Sequence, residues 1–106
     1  MKKRDLFESI LSLVEEETEL SRTIILSASR QEEVVDARAL LINLLSEQGL
    51  YNTQIASLIR RDVSWIRKTI ADFPARINNS HMLSIIYSKI KAEIAQNSSV
   101  KQAIKD

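Results

Sequence analysis

A single glycine, Gly49, and a single proline, Pro74, punctuate the 106 residues of this chain. Hairpin turns draw on glycine for their positive-φ positions, so a fold built on antiparallel strands has almost no turn material here. The apolar runs are rich in leucine, isoleucine and alanine and recur at helical spacing. The expected fold class is therefore all-α, a small helical bundle of about five to six helices. A chain of this length suits one domain of roughly 100–150 residues. We place it at residues 1–96, with a polar tail at residues 97–106.

The two breakers also bracket the stretch that organises the rest. Residues 32–48 form a long amphipathic segment that stops at Gly49, residues 53–60 form a short apolar one, and Arg60-Arg61-Asp62 makes a charged corner. Helical spacing resumes at Val63 and runs to Pro74. Glycine suits the left-handed position just past a helix end. Asn52 or Thr53 is expected to cap the second helix and Asp62 the third, while Pro74 ends or kinks the third at Phe73. In that third helix Val63, Ile66, Ile70 and Phe73 share one face, Ser64 and Lys68 point directly away, and Trp65 lies off the buried stripe, against full burial. A long helix, a short helix and a helix with a polar, basic outer face, joined by two tight turns, form the pattern of a helix-turn-helix that reads duplex DNA. The recognition helix is expected over residues 62–73.

The flanking segments supply the rest of the bundle. Residues 3–19 place Leu6, Phe7, Ile10, Leu13 and Val14 on one stripe, and Glu15, Glu16, Glu17 and Glu19 read as a solvated face. Residues 20–28 are expected to form a two-turn helix capped by Ser21, with a β-strand as the alternative because Thr23, Ile24 and Ile25 are β-branched. In the central helix Val34, Ala37, Leu41, Leu44 and Leu45 face one way with Leu40 and Ile42 at the edges. Arg38 projects within that face, where a partly buried arginine is expected to pair with a carboxylate, with a contact to phosphate as the alternative. Residues 76–79 read as a loop, and Ser80 caps a last helix over residues 81–96 that buries Met82 or Leu83, Ile86, Ile90 and Ile94. His81, the only histidine, reads as a surface residue in its first turn.

Composition narrows the functional classes. Without cysteine there is neither a disulfide framework nor a thiolate metal site. No apolar run approaches the ~20 residues of a membrane span, and the basic start is interrupted by acids before a signal-peptide core forms. A soluble cytoplasmic protein with no membrane contact is the expectation. No phosphate-binding glycine loop, clustered histidines or paired acids at a cleft are present, so we expect no enzyme, no cofactor, no metal and no evident small-molecule ligand. The net charge of +1 conceals an asymmetry: residues 1–49 carry six positive and ten negative side chains, and residues 50–106 nine and four. The basic half contains the expected recognition helix, as a phosphate footprint requires.

Arg61-Asp62-Val63-Ser64-Trp65-Ile66 resembles Arg-Asp-His-Thr-Thr-Val, the signature that opens the recognition helix in the C-terminal DNA-binding domain of DnaA, the bacterial chromosomal replication initiator. Ile25-Leu26-Ser27 with Arg30 resembles that family's Leu-Leu-Ser and basic loop, Val34 to Arg38 its Val-x-x-Pro-Arg, and Thr53-Gln54-Ile55 its Pro-Glu-Ile, while Ser80-His81 recurs at the same distance from Asp62. The resemblance covers residues 6–96 and implies a Trp-repressor-like helix-turn-helix without the ATPase domain, acting as a regulator of replication or transcription. On the matching positions it implies that Asp62, Val63, Ser64 and Trp65 approach base edges in the major groove, that Arg30 enters the minor groove, and that Thr53 lies near the backbone. Arg61, Arg67 and Lys68 complete the expected DNA-binding set. The alternative expectation follows from Glu32 and Glu33, which stand where the family is basic: a protein-interaction module, or homodimer, that keeps the fold without DNA affinity and uses Trp65 and the acidic surface.

Overall fold

The computed structural model describes residues 3–96 as six helices: α1 Lys3–Thr18, α2 Arg22–Ile25, α3 Glu32–Glu47, α4 Asn52–Ile59, α5 Val63–Asn79 and α6 His81–Gln96. No strand occurs among the described residues, and the expected polar tail lies outside them. Among the described residues no helix is long and apolar enough to cross a membrane.

The core is built around α3, in which every residue from Ala37 to Leu45 is buried. That pattern needs neighbours on all sides, and α1, α2, α4 and α5 each pack against it. Leu40 and Ile42, placed at the edges of a stripe by periodicity, are as buried as the seam itself. α1 contributes Leu6, Phe7, Ile10, Leu11, Leu13 and Val14, and α6 closes over α1 and α5 with Leu83, Ile90 and Ile94. Each fully buried leucine or isoleucine removes apolar area from water worth roughly 1.5–3 kcal/mol, so this helix is held by packing more than by propensity. A tie among three helices secures the far end. Phe73 of α5 meets Tyr87 of α6 edge-to-face at 5.3 Å, and the Tyr87 hydroxyl donates to Glu47 of α3.

The helix ends follow from local chemistry. After α3, Gly49 takes φ +99°, its N–H donates to the Ser46 carbonyl at 3.0 Å, and the N–H of the buried Leu50 donates to the Leu45 carbonyl at 3.2 Å. This pair of bonds is a Schellman closure. A Cβ at Gly49 would meet nothing within 4 Å, so the cost of Gly49→Ala is conformational alone. We expect a loss of about 1 kcal/mol in urea unfolding, with no change in the denaturant slope. The start of α4 differs from expectation. Tyr51, not Asn52 or Thr53, occupies the cap position, where its N–H donates to Gln54 Oε1 at 2.8 Å.

Two expectations about flanking segments are overturned. α5 neither stops at Phe73 nor gives way to a loop at residues 76–79, but continues through Pro74 to Asn79. Proline inside a helix removes one N–H and costs about 3 kcal/mol. Here the following turn is held by Ile77 against the core and by Arg76, whose Nη1 lies 2.8 Å from Asp36 of α3. Helix termination passes instead to Ser80, which leaves the helical region at φ −137°, ψ 104° while its Oγ accepts the Leu83 N–H at 3.1 Å. Ser80→Ala should cost about 1 kcal/mol, read as a lowered thermal midpoint.

The other correction concerns α2, which is one turn long where two were expected. Ser21 does cap it, accepting the Ile24 N–H at 3.3 Å. The α1 acids are also more engaged than a solvated face: Glu15 accepts the Arg22 N–H at 2.8 Å, and Glu17 pairs with Lys89 of α6 at 3.2 Å.

Candidate nucleic-acid interface

One end of the bundle brings the segment after α2 against the corner before α5. Serines shape that segment. The Ser27 hydroxyl donates to the Ile24 carbonyl at 2.6 Å, Ser27 Oγ accepts the Ser29 N–H and Ser29 Oγ accepts the Gln31 N–H, each at 3.2 Å. Three alternate carbonyls then point at two arginines. Arg38 Nε donates to the Ile25 carbonyl at 2.9 Å, its Nη2 donates to the Ser29 carbonyl at 3.2 Å, and Arg61 Nη2 donates to the Ser27 carbonyl at 2.7 Å.

Arg38 is thus 4% exposed and bound to backbone oxygens, not to the carboxylate its sequence position suggested. The reason is geometric: a planar guanidinium forks across two carbonyls, one at the end of α2 and one in the loop after it. Burial, and after it the neighbouring Arg61 charge, lower its pKa from an arginine's ordinary value.

The charged corner turns tightly. Arg60 adopts the left-handed conformation at φ 60°, ψ 49°, and the Arg61 N–H closes the turn on the Ala56 carbonyl at 3.0 Å. Arg61 spans the resulting crevice, with its guanidinium 4.8 Å above the Trp65 ring while it holds the Ser27 carbonyl. Sequence suggested a phosphate contact; the structure gives Arg61 the place of a half-buried strut between loop and helix.

At the start of α5, Asp62 is the N-cap as expected, and its carboxylate accepts the Ser64 N–H at 3.0 Å as well as the Ser64 hydroxyl. The hydroxyl first, then the amide, hold the Asp62 carboxyl below its ordinary range. A depressed carboxylate contributes in its ionised form, so this cap is present at neutral pH and lost only as pH falls through the depressed value. Val63 and Trp65 are half-buried and pack on the core. Trp65 also lines a shallow groove of about 140 Å³ between α3 and α5 with Val35, Ala39, Lys68, Thr69, Asp72 and Arg76.

The remaining expected residues are open to solvent. Arg30 and Arg67 are exposed and have no ion-pair partner among the described residues. Lys68 is 76% exposed at its side chain and reaches only Asp72, 3.5 Å away, a surface pair worth a few tenths of a kcal/mol (~0.3–0.5). Thr53 lies apart from this group, in a depression lined by Lys3, Gln54, Ser57 and Leu58. Two cations that sequence reading left out belong to these surfaces: Arg60, exposed in its left-handed turn, and Lys3 beside Thr53. Glu32 and Glu33 line a different groove, with residues of α1 and α6, away from the start of α5.

The group presents exposed guanidinium and ammonium charge, which is anion-directed, beside a Ser64 hydroxyl whose proton is held by Asp62 at the helix start. Comparison with known proteins returned no matching family model, no similar curated protein and no similar solved structure.

Proposed function

We propose that this chain is a non-enzymatic double-stranded DNA-binding domain of helix-turn-helix type, acting in regulation of replication or transcription. The observation that carries the reading is the exposed cation set at one end of the bundle: Arg67 and Lys68 on α5, Arg60 at the corner, and Arg30 on the loop fastened to that corner through Arg61. α4, the turn and the first turns of α5 take the part of the helix pair, with α5 in the major groove. The resemblance to the C-terminal domain of DnaA, a Trp-repressor-like helix-turn-helix, supports the same assignment, and a minor-groove role for Arg30 suits an exposed guanidinium on a braced loop.

The Asp62–Ser64 contact sharpens the chemistry of readout. An ionised carboxylate only accepts, so the Ser64 hydroxyl gives its proton to Asp62 and offers lone pairs outward. It would then accept from an exocyclic amine, N6 of adenine or N4 of cytosine, and not donate to guanine or thymine.

Site selection followed by fluorescence anisotropy tests this. Ser64→Ala should relax the preference for an amino-bearing base at one position, by about tenfold. Lys68→Ala should weaken all sequences alike and reduce the salt slope by about 1. Arg61→Ala should weaken binding through a loosened loop, which amide exchange at residues 27–30 reports. Unchanged affinity and preference in all three variants would refute the recognition-helix assignment.

A further inference from the structure

At the opposite end of α5 lies a groove of about 440 Å³ between the end of α1, the start of α3 and the start of α6. Its floor is apolar: Leu20, Ala37, Leu83 and Ile86. Met82 forms a wall and is 65% exposed, and Ile85, one turn on, is 49% exposed. These two are half of the four large apolar side chains exposed among the described residues, concentrated in the first turns of one helix.

The rim carries Glu17, Glu19, Glu32, Glu33 and Asp36, with no basic residue among the lining. Glu17 is matched by Lys89 and Asp36 by Arg76, but Glu19, Glu32 and Glu33 have no ion pair among the described residues. The volume lies within the roughly 300–1,000 Å³ of clefts that take ligands. Methionine is the side chain best able to adapt to an incoming apolar surface.

We infer that this groove is a docking site for a basic amphipathic helix of a partner protein. Charge complementarity selects the occupant. An apolar anchor alone would leave the three unmatched carboxylates unused, and nucleic acid or an anionic membrane is repelled by them. Aliphatic residues at i and i+4 of a helix reach the floor while lysine or arginine on its flanks meets the rim. α5 has 17 residues and is about 25 Å long. A helix seated here therefore leaves the cation set at the start of α5 free, and the inference does not depend on DNA binding.

The test uses the full chain and a labelled leucine–lysine peptide of helical amphipathic pattern. It should bind with NMR shifts at Leu20, Ala37, Leu83 and Ile86, and the paired change Glu32→Gln and Glu33→Gln should weaken it about fivefold to tenfold at low salt. Met82→Lys should weaken it more than about tenfold at low and high salt alike. The same peptide with serine for leucine should not bind. Affinity indifferent to Met82→Lys, or equal for the serine peptide, would reduce the effect to attraction by an acidic surface and overturn the proposal. A dimer in sedimentation that Met82→Lys dissociates would overturn it by assigning the groove to a second copy, and binding gained only on removal of residues 97–106 would assign it to the chain's own end.

Discussion

Arg38→Met should lower unfolding stability by about 3 kcal/mol, an outcome that a buried charge does not guarantee. Replacing buried ionic groups by apolar ones of similar volume is often neutral. Here the partners are backbone carbonyls, which a mutation of the arginine cannot remove. Ile25 and Ser29 would keep their oxygens in place with no donor, at about 1–3 kcal/mol for each unsatisfied group. Part of that is recovered if the loop opens to water, so amide exchange at residues 27–30 should quicken in the same variant. Arg61→Met removes one such bond from a half-exposed site and should cost only about 1 kcal/mol. Denaturant unfolding of both variants decides the matter: equal stability of Arg38→Met and the parent would mean that the loop is not held from within.

The second large effect is on association. Arg67→Glu combined with Lys68→Glu reverses two exposed charges on the outward side of α5. Lys68 has only a solvent-exposed partner in Asp72 and Arg67 has none among the described residues, so stability should change by less than about 0.5 kcal/mol. Affinity for a duplex should fall by about a hundredfold or more at low salt, because two attractive phosphate contacts become repulsive. Loss of binding with retained stability separates an interface from a structural element. Retained binding would place the interface elsewhere.

The architecture was readable because helical periodicity and one rare breaker, Gly49, agree on it. Gly49 stands where the left-handed closure is needed, and Asp62 caps α5 as its type and position imply. Pro74 misled because the rule that proline ends helices is local, whereas the turn after it is held by Ile77 and by the Arg76–Asp36 pair, 40 residues apart in sequence. Tyr51 could not be identified as a cap from its side chain, since the bond is made by its amide and by Gln54.

Around the start of α5, exposure and capping were legible residue by residue, but the arrangement was not. The spacing that kept Trp65 off the buried stripe was sound, and the side chain is half-buried. Nothing in the spacing links Arg61 to Ser27, 34 residues earlier, or Arg38 to Ser29, because backbone carbonyls leave no mark in a sequence. The acids at 32 and 33, only two and three residues after Arg30, lie on another groove because α3 begins at Glu32 and places both acids in its first turn, facing α1 and α6.

The most direct measurement is anisotropy of a labelled random-sequence duplex titrated with the protein at several salt concentrations. Arg30, Arg60, Arg67 and Lys68 are four exposed cations, so the logarithm of the association constant should fall against the logarithm of salt with a slope of about −4. No binding at low salt, or binding with a slope near zero, would contradict a phosphate-directed interface at the start of α5.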